Sequence, residues 1–584
     1  MTSGRRIGVA GDTGQFPAPA TTTETVAVRP TSTRPRPDLG TTAGARDDGD
    51  APAVSRVRPV GRDRVTAAGL ALAALLCFGL CAYLATSLPP FFGADERAHF
   101  SYTVSLLAGD LPTVTDAQPL TDRYPIIERS LDPPGPQPPR RQGIFVAAHP
   151  PLTYALAAPV VWVGGQSGSD ELPTLAFRLV NASAMSVGVV LAGLLAAELF
   201  PGRRIVAIGA AALTAVVPTL LAVGAYAQND GPAFALTTAC LLAGARVARR
   251  GLSAGRLVAA SLVAAAALAT RASAATAVAA VVACVALAAW RQGGGRRATM
   301  GRVVGASLAV GGSAVVAAGW FYWRNQRLYG TPTADAFLLA GLRREDRGTL
   351  IGALRDLPYH RDMWSGLYGV VHPRLSAWHP VWVVAGLVSV TITGLAVAAV
   401  RRHRAGRAGS EHRDRPDGRD EHRDRAEGRD DGRGATIGPA GWAVIAGFFV
   451  AVVVATARFY ADGGGPHPRY LLSVVPVASA LLARGLAELP LRRVLLTVVV
   501  AAQLAVTVSQ LVQFGELVGH PDHPRPFDHA TAGLAAQRSS IALAVSAGVG
   551  LVAVLGTDWW LARRGRGASA SATTGGGPRV VGTG

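Results

Sequence analysis

Residues 65–100 read VTAAGLALAALLCFGLCAYLATSLPPFFGADERAHF. The first part, Val65 to Leu88, is an apolar run of about two dozen residues with no charge, long enough for a helix rising about 1.5 Å per residue to cross a hydrocarbon core about 30 Å thick. Such a helix satisfies its own backbone polar groups, which is what lipid demands. The run stops at Pro89-Pro90, and five residues later Asp95 and Glu96 stand side by side. One membrane span therefore delivers an acidic pair to one face of the bilayer.

Similar runs recur along the 584 residues, of which 49% are hydrophobic and 16% charged, with a mean hydropathy of +0.29. That balance excludes an ordinary soluble enzyme. The formal net charge is +19, and since the sequence contains no lysine every fixed side-chain cation is arginine. A nucleic-acid partner would need this charge on a soluble surface. Here the arginines fall between apolar runs, as membrane orientation requires, so no nucleic acid is expected. The four cysteines, Cys77, Cys81, Cys240 and Cys284, all lie inside apolar runs, which implies neither a disulfide framework nor a metal site.

Residues 1–64 have no apolar period and read as a disordered cytoplasmic tail, with Arg56, Arg58, Arg62 and Arg64 holding it inside. Residues 65–400 read as the main membrane module, with an external loop at 89–177 and another at 323–378. The apolar piece Pro150–Gly165 is short and proline-led. Laying it along the outer surface sends Arg203, Arg204, Arg246, Arg249, Arg250, Arg256, Arg291, Arg296, Arg297, Arg302, Arg401, Arg402, Arg404, Arg484, Arg492, Arg493, Arg563 and Arg564 inside; making it a span would send most of them outside. The result is an all-α, polytopic transmembrane bundle of about 12 spans with surface-lying helices in the first external loop and both termini cytoplasmic. Residues 401–437, carrying the near-tandem EHRDRPDGRD and EHRDRAEGRD, read as a disordered linker. Residues 438–562 hold the C-terminal spans, and 563–584 form a second tail. On this topology a cysteine at Ser101 is accessible from outside and one at Gly418 only from inside.

The chemistry-bearing residues gather on the outer face. Asp95 and Glu96 open a segment whose Phe100, Val104 and Leu107 recur at helical spacing, so the plain reading of the acids is a pair capping a surface helix at its positive end. His99 follows them. His149 leads Pro150-Pro151-Leu152-Thr153-Tyr154, Arg178 begins Arg-Leu-Val-Asn, Gln228-Asn229-Asp230 ends a span, Arg324 leads the second loop, and Arg469-Tyr470 starts another span. Ionisable groups at a membrane boundary are costly unless paired or solvated, so this gathering points to a shared pocket. Each arginine also has a plainer role as an interfacial anchor, and Trp320, Tyr322 and Trp323 suit an aromatic belt.

In this order the motifs resemble the GT-C glycosyltransferase superfamily, and in particular the dolichyl-phosphate-mannose protein mannosyltransferases and related bacterial membrane proteins, over about 65–512. The resemblance implies an extracytoplasmic enzyme of the cytoplasmic membrane that moves a hexosyl or pentosyl unit from a polyprenyl-phosphate donor to a glycan, lipid or protein acceptor, with inversion. It also implies Asp95 as catalytic carboxylate with Glu96 beside it, and substrate binding by His99, His149, Arg178, Asp230, Arg324, Arg469 and Tyr470. Asp95 would take the acceptor proton and arginines would meet the departing phosphate. The resemblance names no cofactor, and Asp95 and Asp230 leave a divalent cation open. The competing reading is a transporter or lipid flippase, which would place ionisable groups on broken helices near mid-bilayer.

Overall fold

A computed structural model of the protein describes residues 64–131, 143–169, 171–341, 344–369, 381–411, 437–518 and 530–572. The tail expected over 1–64, apart from Arg64, lies outside these residues, as do most of the linker, Gly418 and the last part of the C-terminal tail.

Helices dominate. They are α1 (Arg64–Ser87), α2 (Glu96–Leu107), α3 (Leu152–Gly165), α4 (Leu172–Leu199), α5 (Arg204–Ala215), α6 (Pro218–Gly224), α7 (Asp230–Arg250) and α8 (Ala254–Leu268). They continue as α9 (Ala275–Arg291), α10 (Arg296–Tyr329), α11 (Asp335–Gly341), α12 (Val381–Glu411), α13 (Gly438–Ala461), α14 (Val475–Leu486), α15 (Arg492–Val518) and α16 (Ala530–Ala572). A 3₁₀ segment, Pro468–Val474, leads into α14. Among the described residues 9 helices are long and apolar enough to cross a membrane, or 10 if the bent pair α5–α6 is one span. Each expected apolar run falls in a helix, but α8 and the apolar part of α15 are short, which accounts for the smaller number.

The core is built by α1 against α16 and α4, α4 against α7, and α10 against α8 and α9. Close approach requires small residues: a Cβ on Gly79 would stand 2.9 Å from the Ala544 backbone nitrogen. At the ends of these helices two arginine clusters surround single acids. Arg246, Arg249 and Arg250 meet Glu198, and Arg203, Arg401 and Arg484 meet Glu488. All six are arginines that the charge pattern assigns to the inside.

The first loop has its own small core of Phe100, Tyr102, Ile127, Ile144, Tyr154 and Phe177. α3 is one-sided, burying Tyr154, Ala157 and Val161 while exposing Leu156, Val160 and Val163, as a helix lying against lipid would. α2 departs from that pattern. It buries Glu96 and then every residue from Ala98 to Ser105, because α3 and the 3₁₀ turn Phe145–Ala148 enclose it. Ser101 is consequently 0% exposed, and the accessibility expected of it does not hold.

Candidate active site

The site grows from the short segment joining α1 to α2. Gly93 sits where a Cβ would strike the Tyr226 ring, so the chain passes close against the α6–α7 turn before the acids. Glu96 turns inward and is 0% exposed. Its Oε1 accepts from Arg178 Nε at 2.6 Å and from the Ala227 amide at 2.8 Å, while Oε2 accepts from Arg178 Nη2 at 2.9 Å and the Gly93 amide at 3.1 Å. Arg178, also 0% exposed, donates onward to the carbonyls of Ala85, Leu88 and Pro89, each at 2.7 Å. The guanidinium's five N–H groups therefore all have acceptors. This pair ties the end of α1, the start of α2, α4 and the α6–α7 turn into one knot. Asn181, one turn below Arg178, completes it by donating to the Val223 and Tyr226 carbonyls and accepting from the Gly231 amide.

Asp95 behaves differently. It occupies the N-cap position of α2 with left-handed backbone, φ 65°, and its side chain makes no capping hydrogen bond. A non-glycine residue in that region is strained, and an aspartate at a helix start ordinarily caps. Here the carboxylate points instead to Arg469, whose Nη2 donates to Oδ2 at 2.6 Å. The plain capping role is thus set aside for Asp95. Burial alone would raise its pKa, but the charge and hydrogen bond of Arg469, helped by His99, bring it below the ordinary value. The carboxyl is ionised at neutral pH.

Asp230 is the first residue of α7 and 95% buried, with Oδ1 held by Arg271 Nη1. Arg271 lies in the turn between α8 and α9 and also donates to Asn229 Oδ1 at 3.4 Å. His99 is within electrostatic reach of Asp95, Asp230, Arg271 and Arg469, and Asp95 of Asp230 and Arg469. Asp230 Oδ2, Asn229 Nδ2, Gln228 Oε1 and Arg469 Nε are buried without a hydrogen-bond partner among the described residues. Burying polar atoms unpaired is unfavourable, and this many together mark a place where polar chemistry is expected.

Three histidines line the same region and are neutral there. Burial lowers His99 to about 4 and His467 to about 4, and pushes His149 well below its ordinary value with Arg271 adding to the effect. His99 Nδ1 shares a 2.8 Å hydrogen bond with the Tyr154 hydroxyl, and its ring stacks on His149 with centroids 6.4 Å apart. Tyr102 donates to the His149 carbonyl at 3.2 Å and stacks on Tyr154 at 4.0 Å. Arg469 lies over the Tyr470 ring at 5.6 Å.

The structure thus brings Asp95, His99, His149, Asp230, Arg469 and Tyr470 into one neighbourhood. Glu96 and Arg178 lie beneath it as a closed pair. Arg324 stands apart, donating to the Leu111 and Pro112 carbonyls at 3.1 and 2.9 Å, where it fastens the first loop to α10. Arg271 is a member that the sequence reading did not single out, while His467 stands in the Pro466-His467-Pro468-Arg469-Tyr470 run that opens a span on this face. The signal for Arg271 was a charged residue in a short turn between two apolar runs that the charge pattern puts outside. Among the described residues no three His, Cys, Asp or Glu side chains converge as a metal-ligand set.

The chain is similar to two solved proteins, ArnT and AglB. The structure of ArnT from Cupriavidus metallidurans bound to undecaprenyl phosphate aligns at 16% identity and a TM-score of 0.38, covering 84% of this chain and 76% of that one. Its apo state aligns at 15% identity and a TM-score of 0.40 with the same coverage. The archaeal oligosaccharyltransferase AglB from Archaeoglobus fulgidus, solved with an inhibitory peptide and a dolichol-phosphate, aligns at 12% identity and a TM-score of 0.37, covering 84% of this chain but only 55% of its own. At that distance the likeness says nothing about activity. No family model matches the chain, and no curated protein sequence matches it.

Proposed function

We propose that the protein is a GT-C type membrane glycosyltransferase that moves a sugar from a polyprenyl-phosphate donor to an acceptor outside the cytoplasm, with inversion at the anomeric carbon. The observation that carries the reading is Asp95: an ionised carboxylate at a helix start that does not cap the helix, held in strained backbone and aimed at Arg469 beside Asp230 and Arg271. Strain retained at a site where the sequence had an easier alternative is a mark of function.

In this mechanism the acceptor oxygen attacks the anomeric carbon while its proton passes to Asp95. The bond from that carbon to the phosphate oxygen breaks, and the electron pair leaves with the lipid phosphate. Arg469 and Arg271 are the cations for the developing phosphate charge, since each guanidinium presents donors in a fork that matches phosphate oxygens. Arg469 then divides its donors between Asp95 and the phosphate, orienting the base toward the reacting carbon. Glu96 and Arg178 hold the segment that carries Asp95 and are positioning residues in this reading. His99, His149 and Tyr470 form the uncharged wall on which the sugar rests. Asp230 faces the acceptor or sugar hydroxyls, and no step needs a metal.

The transporter or flippase reading draws on one feature, the 61° break between α5 and α6. Two carbonyls at that break already have donors. The Thr507 hydroxyl donates to the Val216 carbonyl at 3.1 Å, and the Val217 amide to the Thr214 carbonyl at 3.3 Å. Carbonyls already paired in this way offer little to a transported ion, which favours the transferase.

The test uses sealed membrane vesicles carrying the full chain and labelled polyprenyl-phosphate mannose, glucose or arabinose. Transfer to envelope material with inverted anomeric configuration, only when donor and acceptor face the extracytoplasmic side, is the expected result; retention of configuration or transfer from the cytoplasmic side would overturn the reading. Orientation is checked in the same vesicles by thiol labelling at Leu120→Cys, which is 55% exposed, and at Gly255→Cys between the inner arginines.

A further inference from the structure

The unpartnered atoms near Asp95 are not scattered. Three belong to consecutive residues, Gln228, Asn229 and Asp230, which are 0%, 0% and 5% exposed. The segment is held rigidly. Gln228 Nε2 donates to the Ala94 carbonyl, the Ala227 amide to Glu96, and the Gly231 amide to Asn181, where a Cβ on Gly231 would collide with Asn181. Arg271 then takes one oxygen from each of Asn229 and Asp230. What remains is one donor, Asn229 Nδ2, and two acceptors, Gln228 Oε1 and Asp230 Oδ2, on three consecutive buried residues.

We propose that Gln228, Asn229 and Asp230 form the glycosyl subsite of the reaction above and that it selects a neutral, hydroxyl-bearing sugar. The inference rests on the transferase reading. A hydroxyl both donates and accepts, so a ring with adjacent hydroxyls satisfies all three atoms at once. An ammonium only donates and leaves Asn229 Nδ2 unpaired. A carboxylate only accepts, leaves Gln228 Oε1 unpaired, and meets the charge of Asp230. Asp95 and Asp230 are matched by Arg271 and Arg469, so the protein side adds no net charge that would favour a charged sugar. A site built to hydrogen-bond hydroxyls rejects ligands lacking the right pattern because its own buried groups are then stranded.

The experiment uses the full chain in lipid nanodiscs and measures equilibrium binding of bare polyprenyl phosphate and of the same lipid carrying glucose, mannose, arabinose or glucosamine. Wild type binds at least one neutral-sugar lipid about tenfold or more tighter than both the bare and the glucosamine lipid. Asn229→Ala and Gln228→Ala each lose most of that preference while binding bare polyprenyl phosphate within about twofold of wild type. Asn229→Asp, which is isosteric and guards against an alanine variant that fails to fold, replaces the donor with an acceptor and moves the preference toward the glucosamine lipid. Equal binding of all sugar lipids by wild type, or a parallel loss of bare and glycosylated lipid in the variants, would overturn the subsite. If wild type transfers sugar and Asn229→Ala keeps its preference, the subsite is rejected and the transferase stands. If wild type transfers no sugar from any of these donors, the transferase itself fails.

Discussion

Asp95 and Glu96 are neighbours at the start of one helix, and each meets an arginine brought from far away in the chain, yet the two pairs are built to different ends. Glu96 accepts four hydrogen bonds and Arg178 gives five, with both side chains at 0% exposure. Asp95 accepts one from Arg469, keeps 29% of its side chain exposed, and leaves Arg469 Nε without a partner. Saturation removes an ion pair from chemistry, since every lone pair and proton is already spoken for. An unsaturated pair in strained backbone, a few ångströms of chain away, is available for it. Residue type and order do not separate the two carboxylates; the number of committed hydrogen bonds does, and the proposed mechanism assigns the reaction to the less committed one.

The comparison breaks most visibly at Glu96. Glu96→Ala strands the Arg178 charge in a buried site, and loss of one partner of such a pair costs about 3–5 kcal/mol. Thermal unfolding of the purified chain should show this, and the double variant Glu96→Met with Arg178→Met should not recover it. Three carbonyls and two amides would still lose their partners. Full recovery by the double variant would mean that the knot is an ordinary replaceable ion pair.

The neutral histidines sharpen the contrast through pH. His99 takes a proton only near 4 in the folded chain but near 6.5 when unfolded, because burial disfavours its charged form. Between those values the unfolded chain binds more protons, so the stability that His99 supplies is complete above about 6.5 and is lost as pH falls to about 4, up to about 3 kcal/mol. A melting profile over that window should steepen toward acid, and His99→Gln should flatten it in part.

A smaller effect is expected at Arg469. Its guanidinium and His99 together offset the burial that would otherwise raise Asp95, so Arg469→Gln leaves the desolvation largely unopposed and lifts the carboxyl. The residual transfer activity should then fall off at a higher pH on the acid side than in wild type. An acid limb that stays in place would mean that Arg469 does not set the charge of Asp95. Smallest of all, Arg324→Met removes two hydrogen bonds to the first loop, about 1–2 kcal/mol of local stability, and should alter the maximal rate less than tenfold.

Much of this architecture is legible in the sequence, because hydrophobic run length and arginine placement follow from the cost of burying charge and unpaired backbone in lipid. The site is legible only in part. Asp95, Asp230 and Arg469 announce themselves as ionisable residues at span ends. Arg324 has the same signature yet fastens a loop, since nothing in its local sequence says which carbonyls fold back to meet it. Arg271 sits in a short turn that reads as a mere connection, and its importance appears only when α7 delivers Asp230 opposite it. The enclosure of α2 was equally hidden: its apolar spacing fits a surface helix, and only the packing of α3 and Phe145–Ala148 covers the remaining faces.

The central claim is that Asp95 serves the reaction while Glu96 serves the fold. It is tested most directly by measuring labelled sugar transfer and thermal stability together for Asp95→Asn in reconstituted full-length protein. The account predicts loss of transfer by at least about a thousandfold with a melting temperature within a few degrees of wild type. Transfer at the wild-type rate in a folded Asp95→Asn protein would contradict it.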